Sequence, residues 1–581
     1  MINPGKKKNH TLIDKLIRNG KIYTDKEHIS QAMNEYFCNI GTDLQSKLSV
    51  TNISYEDFLP DRILPSFFIC PITNDDILLE IRKMDPKKSA GADNIGPKVL
   101  KMCPEIFAKN LTKIFNHAIE MGEYPHELKL AKVIALFKKG NRQDPTNYRP
   151  ISLLSIFNKI FEKHLCKQLL NFLNKNHVLY PYQFGFRKLY STIMALIDFT
   201  DNVRDQLDLG NYVLSIFVDL TKAFDTVDHD ILLHKLDRYG VRGHANEFFK
   251  SYLTNRKQYT IVNGVKSDIQ EIRCGVPQGS VLGPLLFLIY VNDIHRSVPL
   301  SKVQLFADDT SLSLYDNNLE RLISKSKDQF SKLYSWCVCN KLTINTGKTN
   351  FILFHTKNKF VPQDFNNIRG SDFNIKRSES VKYIGLHIDE KLNWGTHIDT
   401  ICTSLIKYFG IFNHIKHLVS KTLIRQIYFA FVYSRINYGI EIYGSCSKKL
   451  LSKLQTIQNK LIKLFVGHPR LTPTNYIHHD LRILKVEDIY KTNVLNFVNN
   501  CLMKNCPTIF DNYFQIKQST HRTRSEGSIL IKRTRTVLGS LRVKSQGAKL
   551  WNNLDNGLHQ YRLKKCFKKY CTRHCIGLYK V

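Results

Sequence analysis

The stretch "VQLFADDTSLSLY" (303–315) sets two adjacent aspartates, Asp308 and Asp309, between runs of apolar and β-branched residues. Two such runs joined at Asp read as antiparallel strands with the acids at the turn, because Asp tolerates tight-turn backbone angles. A second run, "YVLSIFVDL" (212–220), is almost continuously apolar and ends on another acid, Asp219. A run of this kind fits a strand buried on both faces. If the two runs neighbour each other in one sheet, Asp219 converges on Asp308 and Asp309. Carboxylates brought together disfavour each other's ionisation, and a hard divalent cation with oxygen ligands relieves that cost. Without a partner strand, the acidic turn would be structural only.

The charge of the chain narrows the chemistry. Its 581 residues, enough for several domains, carry a formal charge of +35. Residues 401–581 hold 31 Lys and Arg against 7 Asp and Glu. Such asymmetry points to a polyanionic partner, nucleic acid before a membrane surface. Glycosidases also use two carboxylates, but their chemistry gives no reason for a basic excess. Two magnesium ions about 3.5–4 Å apart, by contrast, can hold the attacking and leaving oxygens of an in-line phosphoryl displacement. The longest apolar run, "PLLFLIYV" (284–291), is too short to span a bilayer, and no apolar segment follows "MINPGKKKNH". The 14 cysteines are scattered without a CxxC pair, which suits a reducing compartment. The expectation is an intracellular chain; the lysines at 6–8 serve nuclear import or are simply solvated.

Pattern along the chain gives an α+β middle and a mainly helical end. Residues 1–60 read as largely helical, with Ile29, Met33, Tyr36, Phe37 and Ile40 on one face. "AKVIALF" (131–137) reads as a strand entering a basic loop, Ser191 as an N-cap, and 229–239 as a helix. In "GVPQGSVLGP" (275–284), Gly275 and Gly279 permit close approach of the backbone to a ligand. Gln278 there offers both donor and acceptor, and Pro284 can open the next helix. Further strands are expected within 342–355 and 381–388, and helices beyond 400.

The segments "FVDLTKAFDTVDHDILLHKL", "GVPQGSVLGPLLFLIYVNDI" and "LFADDTSLS", in that order, resemble the palm motifs of reverse transcriptases from non-LTR (LINE-type) retrotransposons, particularly the jockey-like group. The resemblance extends upstream through "KKSAGADNIGP", "KKGNRQDPTNYRPISLLSIFNKIFEKHL" and "YQFGFRKLYST". Downstream it continues through "WCVCNKLTINTGKT", "VKYIGLHIDEKLNW" and "QTIQNKLIKL". It implies a right-hand polymerase fold: a connector over 1–70, fingers and palm over 71–400, a helical thumb over 401–470 and a basic C-terminal region over 471–581. It implies RNA-directed DNA polymerase activity with two Mg²⁺, for which Mn²⁺ can substitute, and with RNA template, DNA primer or target, and dNTPs as partners. The nucleus, the cytoplasm or both would be the place of action.

Carried over residue by residue, the resemblance makes Asp219 and Asp308 the principal metal ligands, with Asp309 beside them and the main-chain carbonyl of Leu220 completing a site. Phe224 would reject a ribose 2′-hydroxyl; its bland reading is a core aromatic. Gln278 and Gly279 would meet the incoming nucleotide, Arg149 would grip its triphosphate, and Lys348 would stand near the leaving pyrophosphate. Tyr383, Ile384 and Gly385 would form the primer grip. Lys564, Lys565, Lys568 and Lys569 would contact RNA phosphates. Cys566, Cys571, His574 and Cys575 have zinc-ligand chemistry, but their spacing fits a zinc knuckle poorly and a basic helix face well. The group usually carries an endonuclease ahead of the polymerase, and 1–70 resembles the connector that follows it, so nicking of target DNA by this chain is not expected. Ala90, Ala92, Leu128 and Ala135 depart from the family pattern away from the acids. The alternative function is an inactive RNA-binding remnant; an RNA-dependent RNA polymerase is disfavoured by the bulk of Phe224.

Overall fold

A computed structural model describes residues 12–49, 51–362, 364–469, 471–517, 528–555, 558 and 560–579. The lysines at 6–8 lie outside the described residues. The chain divides into two compact units, each assembled from separated segments. One comprises Met1–Tyr180, Leu220–Pro299 and Phe330–Asn345, the other Pro181–Asp219, Leu300–Gln329 and Thr346–Val581. Among the described residues, no helix is long and apolar enough to cross a membrane.

In the first unit, the strand Leu130–Phe137 lies between Tyr148–Leu153, antiparallel to it, and Arg256–Val262, parallel to it. The helix Lys26–Gln45 packs on Arg256–Val262, burying Ile29, Met33 and Phe37 in the same cluster as Val133 and Val262. The helical stretch after Gly96 is two helices, Pro97–Met102 and Pro104–Met121. Pro104 cannot donate to the preceding turn and opens the second helix instead. The largely helical reading of residues 1–60 is corrected on both sides of the helix: a hairpin, Leu16–Arg18 with Lys21–Tyr23, precedes it, and after Gln45 the described residues up to 60 hold only the 3-10 turn Tyr55–Phe58. The hairpin's turn, Asn19-Gly20, has φ of +50° and +77°, the left-handed pair that Asn-Gly supplies at low cost in a two-residue hairpin.

In the second unit, six strands form one sheet in the order Asn367–Arg369, Asn374–Arg377, Asn350–Phe354, Tyr212–Val218, Asp309–Asp316, Lys302–Phe306. All seven residues of Tyr212–Val218 are buried, as the almost continuously apolar run predicts for a central strand. Ser191 caps the helix Thr192–Asp208 by accepting from the Met194 N–H. The expected strand at 381–388 is a hairpin, Ser380–Tyr383 with Leu386–Asp389. From Gly395 to Val466 the unit is helical. The C-terminal helices Val486–Leu502, Val543–Asn552 and Phe567–Gly577 share one large core with the helix Thr192–Asp208.

Candidate active site

The sheet of the second unit brings the acids of two motifs to one end. Val218 pairs with Thr310; the next residue outward on the first strand is Asp219, and on the second Asp309. Ala307 and Asp308 form the two-residue turn, with Asp309 opening the strand opposite Phe306. Asp308 and Asp309 are exposed. Asp219 is tied on its other side: its N–H donates to Thr349 Oγ1 at 3.3 Å, and its Oδ2 lies 3.6 Å from Lys348 Nζ. The expectation that the acids sit at a hairpin turn beside a buried strand is therefore met, and Lys348 joins them.

These are hard oxygen donors at an open, solvated edge beside one cation. Among the described residues, no three His, Cys, Asp or Glu side chains form a ready-made metal cage. Carboxylate oxygens are the donor type that hard divalent cations take.

Apart from Lys348, the residues expected to handle the nucleotide lie in the first unit. Leu220, next in the chain after Asp219, is buried and bridges to Ile344. Phe224 is half-buried, its ring stacked 4.4 Å from Phe287, and its carbonyl accepts from the Val276 N–H. The Gln278 carbonyl accepts from the Ser152 N–H at 2.8 Å. Its side-chain amide donates to both carboxylate oxygens of Asp225, at 2.9 and 2.8 Å. A carboxylate only accepts, so Asp225 determines which end of the Gln278 amide turns away from it. Burial pushes the Asp225 carboxyl up to about 6, against the pull of Lys222 and Gln278.

Asp225 was not among the residues picked out from sequence, although it follows Phe224 directly. Nothing local distinguishes it from a solvated acid. Lys222 donates to the Tyr148 carbonyl at 2.9 Å, and its ammonium is held below the ordinary range by burial and by neighbouring Lys138 and Arg149. Arg149 itself is exposed on the strand Tyr148–Leu153. The loop therefore sits beside a concentration of cations suited to an anionic ligand.

The glycines of this loop lie against the chain itself. Gly275 and Gly279 have φ of +86° and +126°. A Cβ would come within 2.8 Å of the Asp225 carbonyl oxygen at Gly275 and 2.5 Å of the Ser152 carbonyl oxygen at Gly279. The close approach they permit here is to the protein's own chain, which packs the loop against Asp225 and Ser152.

The other expected residues separate by environment. Ile384 and Gly385 form a two-residue turn with φ of +41° and +83°, braced by the Tyr438 hydroxyl, which donates to the Ile384 carbonyl at 2.7 Å. Tyr383 is buried, its ring against Phe199 and Phe217, and supports the turn from the core. Lys564, Lys565 and Lys569 are exposed, whereas Lys568 is half-buried near Glu441. Cys571 is buried in the core, and His574 lies 3.4 Å from Asp555.

Residues 137–388 match the family described as reverse transcriptase (RNA-dependent DNA polymerase). The chain is 28% identical over 449 residues to the probable RNA-directed DNA polymerase from transposon BS of Drosophila melanogaster, covering 74% of this chain and 49% of that protein. It is 27% identical over 447 residues to the RNA-directed DNA polymerase from mobile element jockey of the same species, covering 74% and 48%. To the probable RNA-directed DNA polymerase from transposon X-element it is 27% identical over 431 residues, covering 72% and 47%. The chain thus spans about half the length of the curated relatives it matches.

Proposed function

We propose, from the premise that residues 137–388 are a reverse transcriptase domain related to those of non-LTR retrotransposons, that this chain extends a DNA primer with dNTPs on an RNA template. The observation that carries the reading is the convergence of Asp219 with Asp308 and Asp309 at one end of one antiparallel sheet, inside the matched segment. Oxygen donors of this kind at an open edge fit two magnesium ions, which when bound supply charge neutralisation at the attacking 3′-oxygen and the departing pyrophosphate. Asp219, Asp308 and Asp309 hold that end of the sheet negative. Lys348, paired with Asp219, gives a proton to the leaving group. Arg149, with Lys222 and Lys138 near it, binds the triphosphate. Phe224, held against Phe287, excludes a 2′-hydroxyl, and the Gln278 amide, oriented by Asp225, meets the nucleotide. The hairpin turn Ile384-Gly385 grips the primer, and the helices from Gly395 to Val466 act as a thumb along the duplex. Exposed lysines of the C-terminal region add contacts to RNA phosphates, which are sequence-independent and weaken with salt.

The test is primer extension on an RNA template with dNTPs and Mg²⁺, run beside Asp308→Asn. Extension by the parent chain and its loss in the variant are expected. Equal extension by both would refute the assignment of Asp308, and template binding without incorporation would leave the inactive remnant as the reading.

A further inference from the structure

The turn that carries Asp308 is held by a side chain from a distant part of the same unit. Ala307 has φ of +56°, a left-handed conformation that a residue with a Cβ adopts only when its surroundings impose it. The segment 182–185 runs alongside the strand Lys302–Phe306: the Leu305 N–H donates to the Tyr182 carbonyl at 3.0 Å, and the Phe184 N–H to the Leu305 carbonyl at 2.7 Å. Between these bonds Gln183 turns inward, 2% exposed. Its Oε1 accepts two N–H groups, from Gly185 at 2.8 Å and from Ala307 at 3.1 Å. Gly185 completes the fit by lacking a side chain, since a Cβ there would lie 2.5 Å from the Ala307 nitrogen and 3.1 Å from its Cα. An acceptor and a cut-out thus converge on the residue immediately before Asp308.

The chemistry of Gln183 argues that the bond to Ala307 is its purpose. A buried amide destabilises unless its polar atoms are satisfied, and Gln183 Nε2 has no hydrogen-bond partner among the described residues. An apolar side chain of similar length would fill the space without that cost but would leave the Ala307 N–H unsatisfied in the turn. We infer that Gln183 is a positioning residue for the polymerase reaction: with Gly185 it fixes the Ala307–Asp308 turn, and through it the direction of the Asp308 carboxylate. This rests on the reading of Asp308 as a reaction-site acid.

Three variants of the full chain test it. Gln183→Met keeps the length and removes the acceptor, Gln183→Glu keeps an acceptor, and Gly185→Ala pushes on Ala307 without touching Gln183. Peptide-level hydrogen exchange over 303–312 reads the turn, Mn²⁺ titration followed by electron paramagnetic resonance reads the acids, and single-turnover incorporation reads the rate. Gln183→Met and Gly185→Ala should speed exchange in that peptide. Both should weaken Mn²⁺ binding and lower kcat by about 10–100-fold, the usual effect of losing a group that orients a metal-site ligand, with KM for dNTP changed by less than about twofold. Gln183→Glu should retain most of the protection and of the rate. Unchanged exchange in Gln183→Met, or faster exchange with Mn²⁺ affinity unaltered, overturns the inference. So does a Glu variant as impaired as the Met variant. The exchange and Mn²⁺ measurements do not require turnover, so a chain inactive on RNA templates would refute the proposed function while these two readouts still decide the role of Gln183.

Discussion

Replacing Asp201 by alanine should loosen the C-terminal region from the helix Thr192–Asp208, about 340 residues away in sequence by the separations involved. Asp201 is 3% exposed. Its carboxylate accepts the Val543 and Lys544 N–H groups, each at 2.9 Å, and the Tyr513 hydroxyl. Fully buried Arg204 is its nearby countercharge and donates onward to the Leu541 carbonyl and Ser445 Oγ. Alanine leaves two N–H groups and a hydroxyl without their acceptor, at about 1–3 kcal/mol each, and removes the carboxylate whose charge offsets Arg204. The costs overlap because one side chain answers all three donors, so the whole should be about 3–5 kcal/mol. At roughly 2 °C per kcal/mol for a large unit, Tm should fall by about 6–10 °C. Thermal unfolding of the full chain, with limited proteolysis to locate new cleavage, measures both effects. Asp201→Asn, which keeps one acceptor oxygen, should fall between parent and alanine. A shift below about 2 °C with an unchanged cleavage pattern would refute the claim that this carboxylate anchors the region.

Three further outcomes bear on the reaction. The Asp225 carboxyl is raised from 3.8 to about 6 by burial, so the folded chain holds its proton more tightly than the unfolded chain. Its contribution to stability is complete below pH about 4 and is lost as pH rises through about 6. Because only the carboxylate fixes the Gln278 amide from both oxygens, kcat/KM for dNTP should fall as pH drops below about 6, and Asp225→Asn should lack that limb in a pH–rate profile. Phe224→Ala should raise ribonucleotide incorporation relative to deoxyribonucleotide by at least about tenfold, since a contact that merely excludes one hydroxyl is worth about 1–3 kcal/mol; an unchanged ratio in competition assays would assign Phe224 to packing alone. Lys348→Ala should lower kcat by about 10²-fold or more if it supplies a proton, with primer-template affinity within twofold by anisotropy; an equal loss in affinity and rate would make it a phosphate contact.

The parts of the fold legible from sequence were those decided over a few residues. Apolar and β-branched runs flanking an Asp-bearing turn were enough for the 303–315 hairpin, near-continuous apolarity for the central strand Tyr212–Val218, and a hydroxyl before an apolar stripe for the Ser191 cap. The hairpin at Asn19-Gly20 was equally local, and its signal was present but lay next to a strong helical stripe that dominated the reading. The acids could be named because each motif ends a strand, but their meeting depended on those two strands being neighbours, which no local pattern states.

Other features had no local signature. Gln278 reaches Asp225 across 53 residues, Gln183 reaches Ala307 across 124, and Asp201 reaches Val543 across 342. The glycines at 275 and 279 announced a close approach without saying to what, and the chain's own backbone proved to be the neighbour. Periodicity and turn chemistry act through the φ and ψ of adjacent residues, so sequence alone determined most of the elements, the charge and the place of the acids at strand ends. Which buried polar group meets which depends on how strands order in a sheet and where helices pack over it. Only the tertiary structure decided that Asp225 would orient Gln278, that Gln183 would hold the turn before Asp308, and that Tyr383 would face the core.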